Sequence, residues 1–115
     1  MAHYYREQLA EKYYCPNCEC FRSFQEVYKY WQCPVCNRNV RIRLVIANFV
    51  HACQRVTPGQ LTIGDVVTLE NEHIHEVLDI QQNDNEYRIA LKNYTAKNFH
   101  VNDVLTKVDG GWYLG

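Results

Sequence analysis

The chain has 115 residues, 47% hydrophobic and 22% charged, with a formal net charge of −1. That length allows one compact unit or two very small ones around a small core, and it leaves little material for an enzyme's pocket. The near-zero charge conceals a split. Residues 1–55 carry Arg6, Lys12, Arg22, Lys29, Arg38, Arg41, Arg43 and Arg55 against Glu7, Glu11, Glu19 and Glu26, whereas Asp and Glu dominate the remainder. The two parts are expected to face different partners, or each other.

At the N-terminus no signal peptide is evident, and Tyr4, Tyr5, Leu9 and Tyr13 fall near helical spacing, which predicts a short helix over 3–14. Next come Cys15-Pro16-Asn17-Cys18 and Cys33-Pro34-Val35-Cys36, a C-x2-C-x14-C-x2-C pattern. Each pair aims two thiolates from one tight turn at a common point, and two turns supply the four sulfurs that tetrahedral Zn²⁺ prefers. The intervening loop is one residue short of the usual zinc spacing but long enough for a hairpin. Its aromatic, partly alternating run from Cys20 to Gln32 predicts two strands turning at Phe24-Gln25-Glu26. In that hairpin Tyr28, Tyr30 and Gln32 share one face, and Lys29 and Trp31 the other.

A third strand follows over 37–45, with Arg38, Val40, Ile42 and Leu44 on one side and Asn39, Arg41, Arg43 and Val45 on the other. Residues 46–56 read as a strand-like connector, with a helix as the alternative. Thr57-Pro58-Gly59-Gln60 marks a boundary, dividing the chain into 1–56 and 57–115. Beyond it, Gly64 is free to take positive φ and Asp65 to bond nearby amides, feeding a strand that ends near Leu69. Further strands are expected at Ile74–Ile80, Tyr87–Leu91 and Val101–Val108, separated by polar turns, with Trp112 to Leu114 closing the chain.

The Cys-Pro-x-Cys pairs resemble the knuckles of a zinc ribbon over about a third of the chain. Rubredoxin-like iron sites and many ribbons carry Gly after each knuckle, where Glu19 and Asn37 stand here. That difference disfavours electron-transfer iron and makes the first knuckle less regular. The Leu61-x-x-Gly64-Asp65-x-Val67-x-Leu69 run weakly resembles the opening strand of SH3-like barrels. Together these resemblances imply a mainly β protein, in which a short helix and a four-cysteine zinc ribbon precede a small antiparallel SH3-like barrel.

Two functions compete. In the first, the ribbon contacts nucleic acid: Arg22, Lys29, Arg38, Arg41 and Arg43 pair with phosphates while Tyr28 or Trp31 stacks on an unpaired base. Such a protein would be a non-enzymatic accessory in transcription, replication or translation, cytoplasmic, with one structural zinc, no membrane contact and no small-molecule substrate. In the second, the acidic barrel surface (Glu70, Glu72, Glu76, Asp79, Asp84, Glu86) docks a basic protein partner or inhibits one. Weighed against the nucleic-acid role, the aromatic residues equally suit a small core and the charges a solvated face.

The other reactive side chains have plainer readings. Cys20 and Cys53 are small buried groups before they are ligands, and His51 near Cys53 makes no catalytic pair merely by sharing a strand face. His73 and His75 form a pattern able to hold a second metal, but acidic neighbours mark an exposed hairpin end. Redox release of zinc would require exposed, reactive thiols.

Overall fold

The computed structural model describes residues 11–46, 48–69 and 73–112. The protein is mainly β with little helix, and every recorded strand pairing is antiparallel. The chain divides into two compact units, one holding the residues up to Gln54 and from Asp109 onward, the other Arg55–Val108.

In the first unit, β1 (Lys12–Cys15) lies between β2 (Cys20–Arg22) and β3 (Arg41–Ile46), and β3 pairs with β4 (Phe49–Val56), whose last two residues belong to the second unit. The expected N-terminal helix is not supported. Lys12 to Tyr14 belong to β1, and the rest of that expectation, residues 3–10, lies outside the described residues. The reason is visible in the ladder: extended backbone buries Tyr13 and Cys15 on one face, and a helix would take Cys15 off its knuckle.

The expected strand–turn–strand between the cysteine pairs is also replaced. After β2 comes a single helical turn, α1 (Phe24–Val27). Its cause is local. The Ser23 hydroxyl accepts from the Glu26 N–H at 3.3 Å while the Glu26 carboxylate accepts from the Ser23 N–H at 2.8 Å, a reciprocal capping box that starts a helix where a turn was expected. Beyond α1, Trp31 takes φ of +57°, and its N–H donates to the Val27 carbonyl at 2.6 Å. That reversal swings the indole inward to 2% exposure, against Tyr13 and Phe24 at ring-centroid distances of 6.1 and 6.0 Å. The predicted alternation of Tyr28, Tyr30 and Gln32 against Lys29 and Trp31 therefore does not occur.

The strand expected over 37–45 begins only at Arg41, residues 37–40 contributing a single bridge from Asn39 to Gln32; from Arg41 on, β3 follows the expected alternation, with Ile42 fully buried and Arg41 and Val45 exposed. The connector expected over 46–56 is strand from Phe49 to Val56: Ile46 at the end of β3 pairs with Phe49, and Asn48 takes φ of +70° before β4.

The second unit comprises β5 (Val66–Thr68), β6 (Ile74–Asn83), β7 (Glu86–Leu91), β8 (Lys97–His100) and, as far as Val108, β9 (Leu105–Gly111), in the spatial order β9-β5-β6-β7-β8. No pairing joins β8 to β9 among the described residues, so the sheet stays open and the expected closed barrel is not formed. The turn before β5 forms as its residues suggest: Gly64 has φ of +95°, and the Asp65 carboxylate accepts from the Thr62 N–H at 2.8 Å. The strand expected over 101–108 instead begins at Leu105. The Asp103 carboxylate draws the His100 N–H to 2.8 Å and makes a turn of the intervening residues. Val56, Leu61, Val67, Val77, Ile89, Leu91, Phe99 and Leu105 form this unit's own hydrophobic cluster. Among the described residues no helix is long and apolar enough to cross a membrane.

Candidate metal centre

Cys15 ends β1, and Cys18 follows it after a tight turn, while Cys33 and Cys36 flank a second turn beyond Trp31. The four sulfurs lie within 4.8 Å of one another, with no disulfide among them. Cys15 Sγ is 3.5 Å from Cys36 Sγ, and Cys18 Sγ is 3.9 Å from Cys33 Sγ. A tetrahedron of sulfurs around an ion with metal–sulfur bonds of about 2.3 Å has edges of about 3.8 Å. These two edges bracket that value, so the four side chains can hold one metal ion with little movement.

Backbone amides complete each knuckle. The Cys18 N–H points at Cys15 Sγ at 3.3 Å and the Val35 N–H at Cys33 Sγ at 3.4 Å. Such N–H groups stabilise negative charge on sulfur. The residues after the knuckles, Glu19 and Asn37, both take left-handed backbone, at φ of +54° and +61°. Asn adopts that conformation readily and Glu does not, so the first knuckle stores strain that the second lacks.

The charge pattern is uneven. Burial opposes ionisation of Cys33 most strongly, yet the N–H groups of Cys36 and Val35, with help from Cys15 and Arg22, outweigh it and lower its pKa to about 6. The Arg38 N–H lowers Cys36 likewise. Cys18 is pushed up to about 12, chiefly because it shares a hydrogen bond with Cys15 and thereby becomes the proton-holding member of the group.

Arg22 stands over this cluster. Its pKa is raised above the ordinary value, first by Cys33 and then by Cys18, and its guanidinium lies 3.8 Å from the Glu26 carboxylate. Arg22, expected to meet phosphate, has a side chain 18% exposed and pairs with Glu26 within the fold. Nothing in the cysteine spacing signals this placement. It follows from the β1–β2 register, which pairs Tyr13 with Arg22 and Cys15 with Cys20 and so puts Arg22 on the cysteine side of the sheet.

Cys20 shares that side but stays outside the four-sulfur group, and Cys53 is fully buried opposite Ile42. His75 does not sit at an exposed hairpin end: it is buried, with Nδ1 3.0 Å from the Lys92 carbonyl oxygen and its ring 5.0 Å from that of Tyr94. Among the described residues the four cysteines are the one group able to hold a metal.

The residues expected to touch nucleic acid scatter. Trp31 is buried and offers no ring face, and Tyr28 stacks on Phe24 at 5.3 Å. Lys29 and Arg38 are exposed near the second knuckle, with the Lys29 ammonium 5.8 Å from the Tyr30 ring centroid. Arg41 and Arg43 instead lie on the opposite face of the sheet from the thiols. There the ladders align Phe21, Tyr14 and Arg41 in one row across β2, β1 and β3, and Lys12 beside Arg43 in the next. Phe21 and Tyr14 meet edge to face at 5.1 Å, and Trp112 lies 6.5 Å from Phe21. Phe21, Tyr14 and Lys12 were not singled out from sequence, since their juxtaposition depends on strand register. Comparison with protein-family models, curated proteins and solved structures finds no match to this chain.

Proposed function

We propose that the chain is a non-enzymatic zinc protein that associates with nucleic acid through the first unit. Cys15, Cys18, Cys33 and Cys36 hold one Zn²⁺, as in a zinc ribbon. Four thiolates fill the tetrahedral shell and leave no position for water or substrate, so the ion acts as a structural tie. The donor set supports zinc over harder ions, because thiolates suit soft and borderline metals, while calcium and magnesium prefer oxygen. Arg22 offsets part of the charge that four thiolates bring to a divalent ion.

The observation that carries the nucleic-acid reading is the sheet face opposite the thiols, where exposed Arg41 adjoins Lys12 and Arg43 beside two aromatic rings. Lys12 and Arg43 also engage neighbours within the fold, so Arg41 is the cation most open to a phosphate. The acidic second unit would then meet other partners, protein above all.

Fluorescence anisotropy of a labelled oligonucleotide, titrated with zinc-loaded protein at several salt concentrations, tests the reading. Log affinity should fall linearly with log salt, and Arg41→Ala should reduce that slope by about one phosphate's worth. An absence of binding at low salt, with one zinc per chain verified, would dismiss it.

A further inference from the structure

Resting on that reading, we infer that the face is built for a single strand, and that Phe21 is the platform on which one unpaired base stacks. Phe21 lies on β2, the edge strand of the first unit's order β2-β1-β3-β4, and 52% of its surface is exposed. An apolar ring this open contributes little to the core. The ring is nonetheless held in place, with Tyr14 edge-on at 5.1 Å on one side and Trp112 at 6.5 Å on another. A fixed, exposed ring suits stacking, because little conformational entropy is lost when a flat partner settles on it.

Beside Phe21 opens a cleft of about 320 Å³, lined by Glu11, Lys12, Arg22 and Ser23 together with Tyr13, Phe21 and Phe24. That volume lies at the bottom of the range for small-molecule sites, roughly 300–1,000 Å³, and so suits one heterocycle rather than a larger ligand. Charge complementarity selects the occupant. Arg41 stands in the same cross-strand row as Phe21 and Tyr14, two strands from Phe21 and therefore about 10 Å away. A base on Phe21 thus leaves its chain's phosphates running toward Arg41, Lys12 and Arg43.

A duplex cannot use this arrangement. Its bases are already stacked on one another, and reaching one requires unpairing at a cost of a few kcal/mol. An isolated ring on a flat sheet brings no wedge into a groove to drive that opening. Aromatic platforms of this kind serve unpaired bases and are tolerant of sequence, because every base has a π-face.

The whole 115-residue chain, zinc-loaded, is titrated into labelled single-stranded DNA, single-stranded RNA and a hairpin duplex of the same base composition. Both single strands should bind at least tenfold more tightly than the duplex, and a gap between DNA and RNA would identify the natural strand. Phe21→Ala should weaken single-strand binding by about tenfold and leave the duplex unaffected, whereas Phe21→Tyr should retain wild-type binding. Bound strand should also quench Trp112 fluorescence, and less so in Phe21→Ala. Zinc content and circular dichroism check that each variant is folded. Equal affinity for single strand and duplex, or single-strand binding indifferent to Phe21→Ala, would overturn the stacking site while leaving a phosphate-bound nucleic-acid reading in place. No binding of any of the three, with capture of an acidic protein on the Arg41 face instead, would remove both.

Discussion

Trp31 combines two opposed effects whose sizes decide how its variants rank. The indole is 2% exposed and fills the space between Tyr13 and Phe24, so truncation to Ala should cost about 3–5 kcal/mol. Its backbone is held at φ of +57°, a region that costs a non-glycine residue about 1–3 kcal/mol. Burial exceeds strain, which explains why a bulky residue occupies a position suited to glycine. Trp31→Gly relieves the strain but adds unfolded-state entropy of about 0.4–1 kcal/mol, so it should be about 1 kcal/mol more stable than Trp31→Ala despite removing one more carbon. The assay is urea unfolding at saturating zinc, followed by far-UV circular dichroism and by Trp112, the other of the chain's two tryptophans. If Trp31→Ala costs less than about 1 kcal/mol, the indole is not a core residue. If Trp31→Gly is the less stable of the pair, the positive φ is not a source of strain.

Other substitutions probe separate parts of the fold. Arg22→Gln should speed loss of the metal to a chelator and weaken its binding by about tenfold, with Arg22→Lys intermediate; unchanged metal retention would contradict an electrostatic hold of Arg22 on Cys33 and Cys18. The Glu26 carboxyl is held below its usual 4.5 by the Ser23 N–H first, then the Ser23 hydroxyl and Arg22. A lowered folded-state pKa stabilises above the unfolded value and ceases to do so as pH falls through the folded one. The stability gap between wild type and Glu26→Gln should therefore shrink from about pH 6 to pH 3, and a gap that widens would reverse the sign. Ile89→Ala, in the second unit's cluster, should cost about 2–5 kcal/mol without altering metal content. Chelation should abolish amide protection in β1 to β3 while the Val67, Val77 and Ile89 amides keep theirs, because that cluster contains no metal-ligating residue.

What was legible in the sequence is what short-range chemistry settles. Two Cys-Pro-x-Cys turns bring four thiols together whatever lies between them, and Gly64 with Asp65 makes its turn from backbone freedom and one carboxylate. The alternation of β3 was readable because Ile42 and Arg41 differ so sharply in polarity. The short helix α1 was missed although Ser23 and Glu26 stand at capping-box spacing, because the aromatic run around them suggested strands. Trp31 escaped because a bulky residue at positive φ breaks the two-residue period on which facing was judged. The N-terminal stretch failed for a different reason: Leu9 and Tyr13 satisfy a helical period over too short a window to exclude a strand. Barrel closure and the Phe21-Tyr14-Arg41 row depend on which strands become neighbours and in what register, and no local pattern encodes either.

The most direct test of the metal centre is titration of the reduced, metal-free protein with cobalt(II), which reports ligand type and geometry through its absorption. One equivalent should bind with intense sulfur-to-metal charge transfer and visible bands of a tetrahedral tetrathiolate, and zinc should displace it. Replacing Cys15, Cys18, Cys33 or Cys36 singly with Ser should degrade that spectrum, and Cys20→Ser or Cys53→Ser should not. A spectrum indifferent to one of the four, or lost with Cys20→Ser, would mean that the metal is held by a different set of sulfurs.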